Sequence, residues 1–133
     1  FKDIHGIFAR KPHQQRINNM GHLVAVYGTL KRGEGNHHWL EDEAQYVGTT
    51  LTQEHYTMYD GGYPKVVEGA DYPITVELFA VPDLEKLDRL EGHPNLFKRE
   101  LVDVLGISEK AWMYLYQYPV PQGTQMKMGV WNG

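Results

Sequence analysis

From Ile74 to Ala80 the apolar residues Ile74, Val76, Leu78 and Ala80 alternate with Thr75, Glu77 and Phe79. A period of two puts each set on one face of a strand and would scatter both sets around a helix. Other runs repeat the strand signal. Leu23 to Tyr27 reads LVAVY, β-branched and apolar on both faces, as in a strand covered on both sides. Tyr46 to Tyr59 is rich in Thr, Tyr and Val, with Gly48 as a bend or bulge. Phe97 to Leu105 and Ala111 to Val120 flank GISEK as a hairpin, and DGGYP, Asp60 to Pro64, is a reversing turn. Helical patterns are few. Asn36 is placed to cap a short helix over His37 to Glu43. Pro82 stands where a first helical turn accepts proline, ahead of DLEKLDRLEG with Leu84, Leu87 and Leu90 at helical spacing, ended by Gly92 and Pro94. The tail from Pro121 is polar and reads as loop. About seven short strands against two short helices predict an α+β fold, a small mixed β-barrel or curled sheet with flanking short helices.

The chain has 133 residues, 41% of them hydrophobic, enough for one core and too few for two. Residues 20–133 are expected to form that single domain. Residues 1–19 lack strand alternation and a helical stripe, and they lead into Met20, a plausible start. They read as a flexible leader or a fusion-derived segment. A net charge of -4 gives no general attraction to nucleic acid or an anionic membrane, and no run approaches the ~20 apolar residues that span a bilayer. Without cysteine there is no disulfide, thiolate nucleophile or cysteine zinc site, which fits a reducing cytoplasm. A monomer in the cytoplasm is the expectation.

Two features carry the chemistry. Gly28 to Gly33 has the G-x-x-x-x-G spacing of a phosphate loop, but Glu34 and Gly35 follow where lysine and a hydroxyl residue are needed, and a carboxylate there repels phosphate. Two readings remain: the amides around Gly28, Thr29 and Leu30 form a smaller nest suited to one carboxylate, or Gly28 merely turns the chain out of a strand. Glu91 is the second feature. At about 100° per residue it lies about 40° from Leu87 and about 20° from Leu84, so it shares the core-facing stripe, while Asp83, Glu85, Lys86, Asp88 and Arg89 take the other faces. Either Glu91 is a desolvated carboxylate, bonded or raised in pKa and able to accept protons near neutral pH, or the helix frays and Glu91 is solvated. The seven histidines lack metal-site spacing, so no metal is expected. Trp112, Tyr114, Tyr116 and Tyr118 share a face that reads as core, with one hydroxyl able to reach a polar site.

Taken in order, VAVYGTLKRGEGNH, GGYP, VELFAV, LDRLEGHPNLFKRE and AWMYLY resemble the γ-glutamylcyclotransferase superfamily, in particular its γ-glutamylamine cyclotransferase and avirulence-induced-gene-like branch. The resemblance spans roughly residues 20 to 118. Lys31, Arg32, Asn36 and His37 agree with that branch's first motif, and Glu91, Gly92, Pro94, Leu96 and Arg99 with its catalytic segment. It implies a small mixed barrel and cofactor-free cleavage of a γ-glutamyl amide to 5-oxoproline and a free amine. By the same carry-over Tyr27, Gly28, Thr29 and Leu30 hold the glutamyl group and Glu91 is the general acid and base. Lys31, Pro64, Tyr114 and Tyr116 are further pocket candidates. Phe97 stands where tyrosine is common, and the residues after Tyr118 depart from relatives that continue over the pocket. The alternative is a non-catalytic domain of the same fold that recognises a γ-glutamyl or acidic metabolite or a protein partner.

Overall fold

The computed structural model describes residues 21–41 and 43–132, so the expectation for residues 1–19 lies outside it. Among the described residues, the strands are β1 (His22–Val26), β2 (Gln45–Asp60), β3 (Pro64–Glu68), β4 (Tyr72–Val81), β5 (Phe97–Val102), β6 (Ala111–Tyr116) and β7 (Gln125–Lys127). The helices are α1 (His38–Glu41) and α2 (Glu85–Glu91). The strands make one sheet in the order β3-β2-β4-β1-β6-β5, with β7 also on β2. β1 runs antiparallel to β4 and parallel to β6, so the sheet is mixed.

β2 gives the sheet its curvature. Its register against β4 slips between Tyr46 and Gly48 and again between Leu51 and His55, and such irregularities bend a strand. The bend brings β2 to the segment after β5: Thr52 bridges Val104, Gln53 N–H donates to Asp103 O at 2.9 Å, and Leu105 N–H donates to Leu51 O at 3.0 Å. The sheet therefore curls until distant parts touch without closing, which selects the curled-sheet form of the expected fold.

Curling gives the sheet an inner and an outer apolar face. Leu23, Ala25 and Tyr27 point into the inner core with Met58, Ile74, Val76, Leu78 and Met113. Val24 and Val26 point outward beside Phe79, Val81 and Tyr114, and Leu84 at the N-cap of α2 and Leu87 within it pack in the same cluster. LVAVY is thus apolar throughout because both faces are covered. Burying Leu84 and Leu87, 6% and 3% exposed, contributes roughly 1.5–3 kcal/mol each and fixes α2 to the sheet.

Three local expectations are corrected. Helix α1 covers His38–Glu41 rather than 37–43, and Asn36 turns its side chain toward Thr29 instead of capping. Pro82 precedes α2 outside its first turn, and Leu84 occupies the N-cap without a side-chain cap. The tail is not all loop: β7 pairs Met58 with Lys127, and Trp131 is 7% exposed in the inner core. Gly129 permits this return, since it adopts φ 88 and a Cβ there would meet the Pro73 carbonyl oxygen at 2.2 Å. No helix of the described residues is long and apolar enough to cross a membrane.

Candidate active site

A cavity of about 330 Å³ opens where β1 ends and α2 ends. Tyr27, Gly28, Thr29 and Leu30 line it, together with Asn36, Tyr63, Pro64, Glu91, Phe97 and Tyr114. It thus brings together both features singled out in the sequence. Of the further pocket candidates, Pro64 and Tyr114 are in the lining; Lys31 and Tyr116 are not. Lys31 Nζ donates to the Trp131 carbonyl, and Tyr116 packs edge-on against Phe97 with centroids 5.4 Å apart.

The loop after β1 is held from within. Lys31 N–H donates to Gly28 O at 3.0 Å, closing a tight turn. Asn36 donates twice to Thr29, from its side chain to Oγ1 at 2.9 Å and from its backbone to the carbonyl at 2.9 Å. His37 Nδ1 donates to the Leu30 carbonyl at 2.9 Å. Among the described residues, the N–H groups of Gly28, Thr29 and Leu30 find no protein acceptor, which leaves them to water or a ligand. Both cations of the loop are engaged elsewhere. Arg32 pairs with Glu77 at 3.5 Å and stacks over the Tyr46 ring at 3.7 Å, so neither it nor Lys31 offers the cavity a phosphate-binding charge. Gly28 is required by contact rather than by conformation: a Cβ there would lie 2.5 Å from Pro64 Cγ. The turn GGYP, read from sequence as a reversal, therefore also supplies a cavity wall.

Glu91 is the last residue of α2, and the helix does not fray before it. Gly92 adopts the left-handed conformation at φ 64, its N–H donates to Arg89 O, and His93 N–H donates to Asp88 O at 2.9 Å. These are the paired bonds of a Schellman end, which needs glycine at that position. The Glu91 carboxylate is partly buried and has no hydrogen-bond or ion-pair partner among the described residues. Burial without compensation pushes its pKa from 4.5 up to about 7, because the charged form loses water and gains nothing in return. Tyr27, Tyr63 and Tyr114 surround it. Their phenols are all raised, by burial first, and the Glu91 charge adds to each. Neither buried hydroxyl proton is left over: Tyr27 O–H donates to the Tyr114 carbonyl at 2.6 Å, and Tyr114 O–H donates to Asp88 Oδ1 at 2.6 Å.

Asp88 is what the sequence reading missed. Placed on the solvent faces of the helix by spacing, it receives Arg99 Nε at 2.8 Å as well as the Tyr114 hydroxyl. Burial pushes its carboxyl up, but these bonds outweigh burial and hold it below its ordinary 3.8. Arg99 also lies over the Trp112 ring at 4.4 Å and donates its N–H to His93 Nδ1 at 3.3 Å. The available signal was the alternation of β6, which puts Trp112 and Tyr114 on the face that α2 covers. Two carboxylates three residues apart thus have opposite characters, one satisfied and charged, the other bare and near its midpoint at neutral pH. A bare carboxylate near pKa 7 beside free amides can accept a proton from an ammonium group and return it. Among the described residues no group of three His, Asp or Glu side chains is arranged to hold a metal; His5 and His13 lie outside them.

Residues 24–133 match the family model "Gamma-glutamyl cyclotransferase, AIG2-like". A Vibrio cholerae serotype O1 protein is 40% identical over 102 residues, covering 74% of this chain and 84% of its own length. The Escherichia coli K12 Gamma-glutamylcyclotransferase family protein YtfP is 32% identical over 111 residues, covering 81% of this chain and 94% of its own. Among solved structures, an AIG2-like protein from Mus musculus superposes with TM-score 0.71 at 25% identity, covering 81% of this chain and 86% of that one.

Proposed function

We propose that this chain, which belongs to the gamma-glutamyl cyclotransferase, AIG2-like family, cleaves γ-glutamyl amides into 5-oxoproline and a free amine without a cofactor, with Glu91 as general acid and base. The observation that carries the reading is the bare Glu91 carboxylate, with its pKa near 7, in the same cavity as the unpartnered amides of Gly28, Thr29 and Leu30.

The substrate's α-ammonium, with a pKa of about 8, must lose a proton before its nitrogen can attack. Glu91 takes it. The freed amine closes a five-membered ring on the γ-carbonyl carbon, forming one C–N bond, and the C–N bond to the leaving amine then breaks. Glu91 passes the protons from the ring nitrogen to the leaving nitrogen. Two of the three ammonium protons end there, the amine departs as an ammonium ion, and Glu91 returns to its carboxylate. The attack is intramolecular, so holding the glutamyl chain folded supplies much of the rate, up to ~7–11 kcal/mol for well-oriented groups. The loop amides stabilise either the developing oxyanion or the α-carboxylate. No protein nucleophile takes part.

The test is 5-oxoproline release, read by mass spectrometry across a panel of γ-glutamyl amides, for the native chain and Glu91→Gln. Loss of about 10²–10⁴-fold in the variant is expected for removal of a general base. A folded variant as active as the native chain would refute the assignment. Calorimetric binding of γ-glutamyl compounds without turnover would point instead to the non-catalytic domain.

A further inference from the structure

Three consecutive residues of the cavity lining, Gly28, Thr29 and Leu30, have their carbonyl acceptors occupied and their donors free. The Gly28 carbonyl accepts Lys31 N–H at 3.0 Å, and the Leu30 carbonyl accepts His37 Nδ1 at 2.9 Å. Thr29 is served by one residue, Asn36, which also lines the cavity. The Asn36 backbone N–H donates to the Thr29 carbonyl and its side-chain Nδ2 to Thr29 Oγ1, both at 2.9 Å. A hydroxyl that accepts from Nδ2 keeps its own hydrogen turned away from that nitrogen, and among the described residues this hydrogen meets no acceptor. The amide N–H groups of the same three residues are likewise unpartnered.

We propose that Asn36 is a positioning residue, holding the Thr29 hydroxyl as a fourth donor beside the three loop amides so that the loop takes the substrate's α-carboxylate. The inference rests on the cyclotransferase reading above and assigns the loop the carboxylate of the bound substrate rather than the developing oxyanion. A surface of donors attracts an anion and refuses the α-ammonium, which has Glu91, the one formal charge in the lining, as its partner. A carboxylate offers about four lone-pair sites and is charged before the reaction starts, whereas the γ-oxygen gains its charge only in the transition state. A freely rotating hydroxyl could present its lone pairs to the cavity and accept from the ammonium instead. The bond from Asn36 removes that choice and so fixes the sense in which a zwitterionic glutamyl group binds. The side chain of Asn36 acts through Thr29, while its backbone bond to the Thr29 carbonyl, which a side-chain substitution leaves in place, keeps the loop closed.

5-Oxoproline, the product common to every γ-glutamyl amide, carries that carboxylate and makes the test independent of the leaving amine. Its Kd is measured by calorimetry with the full chain at about pH 6, where Glu91, with its pKa of about 7, is mostly uncharged. Asn36→Ala and Thr29→Val should each raise Kd about tenfold, since each takes the hydroxyl away from a charged group. The double variant should bind no more weakly than the weaker single, within about twofold, because the two residues act as one unit. In a Thr29→Ser background, which keeps the hydroxyl, Asn36→Ala should again cost about tenfold. 2-Pyrrolidinone, the same ring without the carboxylate, should bind native and variant chains alike. Additive losses, equal losses for 2-pyrrolidinone, or an Asn36→Ala chain that binds as the native one does would overturn the inference, as would a native chain that does not bind 5-oxoproline. The release assay with Glu91→Gln decides the cyclotransferase reading independently of these outcomes.

Discussion

Replacing Glu91 by glutamine should stabilise the protein at pH 8 and leave its stability nearly unchanged at pH 4. Burial moves the carboxyl pKa from 4.5 to about 7 in the folded chain, so the folded state binds this proton more tightly than the unfolded state does. The sign follows from that. Below 4.5 the group is protonated in both states and costs nothing; as the pH rises toward 7 the unfolded state gains by ionising in water while the folded state cannot, and stability falls. Above about 7 the loss is complete. A gap of about 2.5 pH units at about 1.36 kcal/mol each gives roughly 3 kcal/mol, a large part of the ~5–15 kcal/mol that holds a typical domain together. Glutamine has nearly the same shape and no charge to desolvate, so it removes the pH-dependent penalty. Urea unfolding of both proteins, followed by the fluorescence of buried Trp131, measures the difference at pH 4, 5.5, 7 and 8. Taking the difference cancels every group common to the two chains, Asp88 included. A difference that stays flat with pH would refute the desolvation argument. One that grows in the native protein's favour would mean that the carboxylate is paired, and with that the case for a proton acceptor would fail.

Gly28→Ala should cost about 1–3 kcal/mol in thermal or urea unfolding, with loss of 5-oxoproline release, since the new methyl would lie 2.5 Å from Pro64 Cγ and must push apart the loop and the GGYP turn. Unaltered stability and activity would show that Pro64 yields freely. Asp88→Ala removes the acceptor shared by Arg99 and Tyr114 and should cost about 1.5–3 kcal/mol at pH 7, as charge-assisted hydrogen bonds do. Because the Asp88 pKa is lowered, its stabilisation is complete above 3.8 and fades as the pH falls through the folded value, so the two proteins should converge in urea unfolding at strongly acid pH. A gap unchanged by acid would assign the effect to packing instead.

Strands β1, β2, β4, β5 and β6 were legible because each carries its own signal. The alternation of Ile74 to Ala80, the uniformly apolar LVAVY and the GISEK hairpin need no distant partner to be recognised. Glu91 was legible for a related reason, since a charge on an apolar stripe contradicts its surroundings. What could not be read depends on who meets whom. Asn36 satisfies every local rule for a helix cap and instead bonds Thr29, because the loop folds back before the helix begins. Asp88 looks solvated by spacing, and only the packing of α2 over β6 brings the Tyr114 hydroxyl to it. The last segment, polar and glycine-containing, gave no periodic signal over three residues of strand, yet β2 offered β7 an open edge and the curled sheet offered Trp131 a place in its core.

The position of the Glu91 carboxylate follows from the end of a very short helix. Seven residues do not sustain a helix in water, so α2 exists because Leu84 and Leu87 dock on the outer face of β1 and β4 and because Gly92 closes its last turn. The same stripe that docks the helix points its final member, Glu91, into the cavity. A change of one residue in where the helix ends would turn that position by about 100° and take the carboxylate out of the site. The tie from Asp88 to Arg99 and Tyr114 opposes such a slip, one turn earlier on the helix, and it also occupies the one phenolic proton of Tyr114. The satisfied carboxylate therefore holds the helix in place, and with the hydroxyls of Tyr27 and Tyr114 both donating elsewhere, the neighbouring carboxylate stays without a donor and near its midpoint at neutral pH.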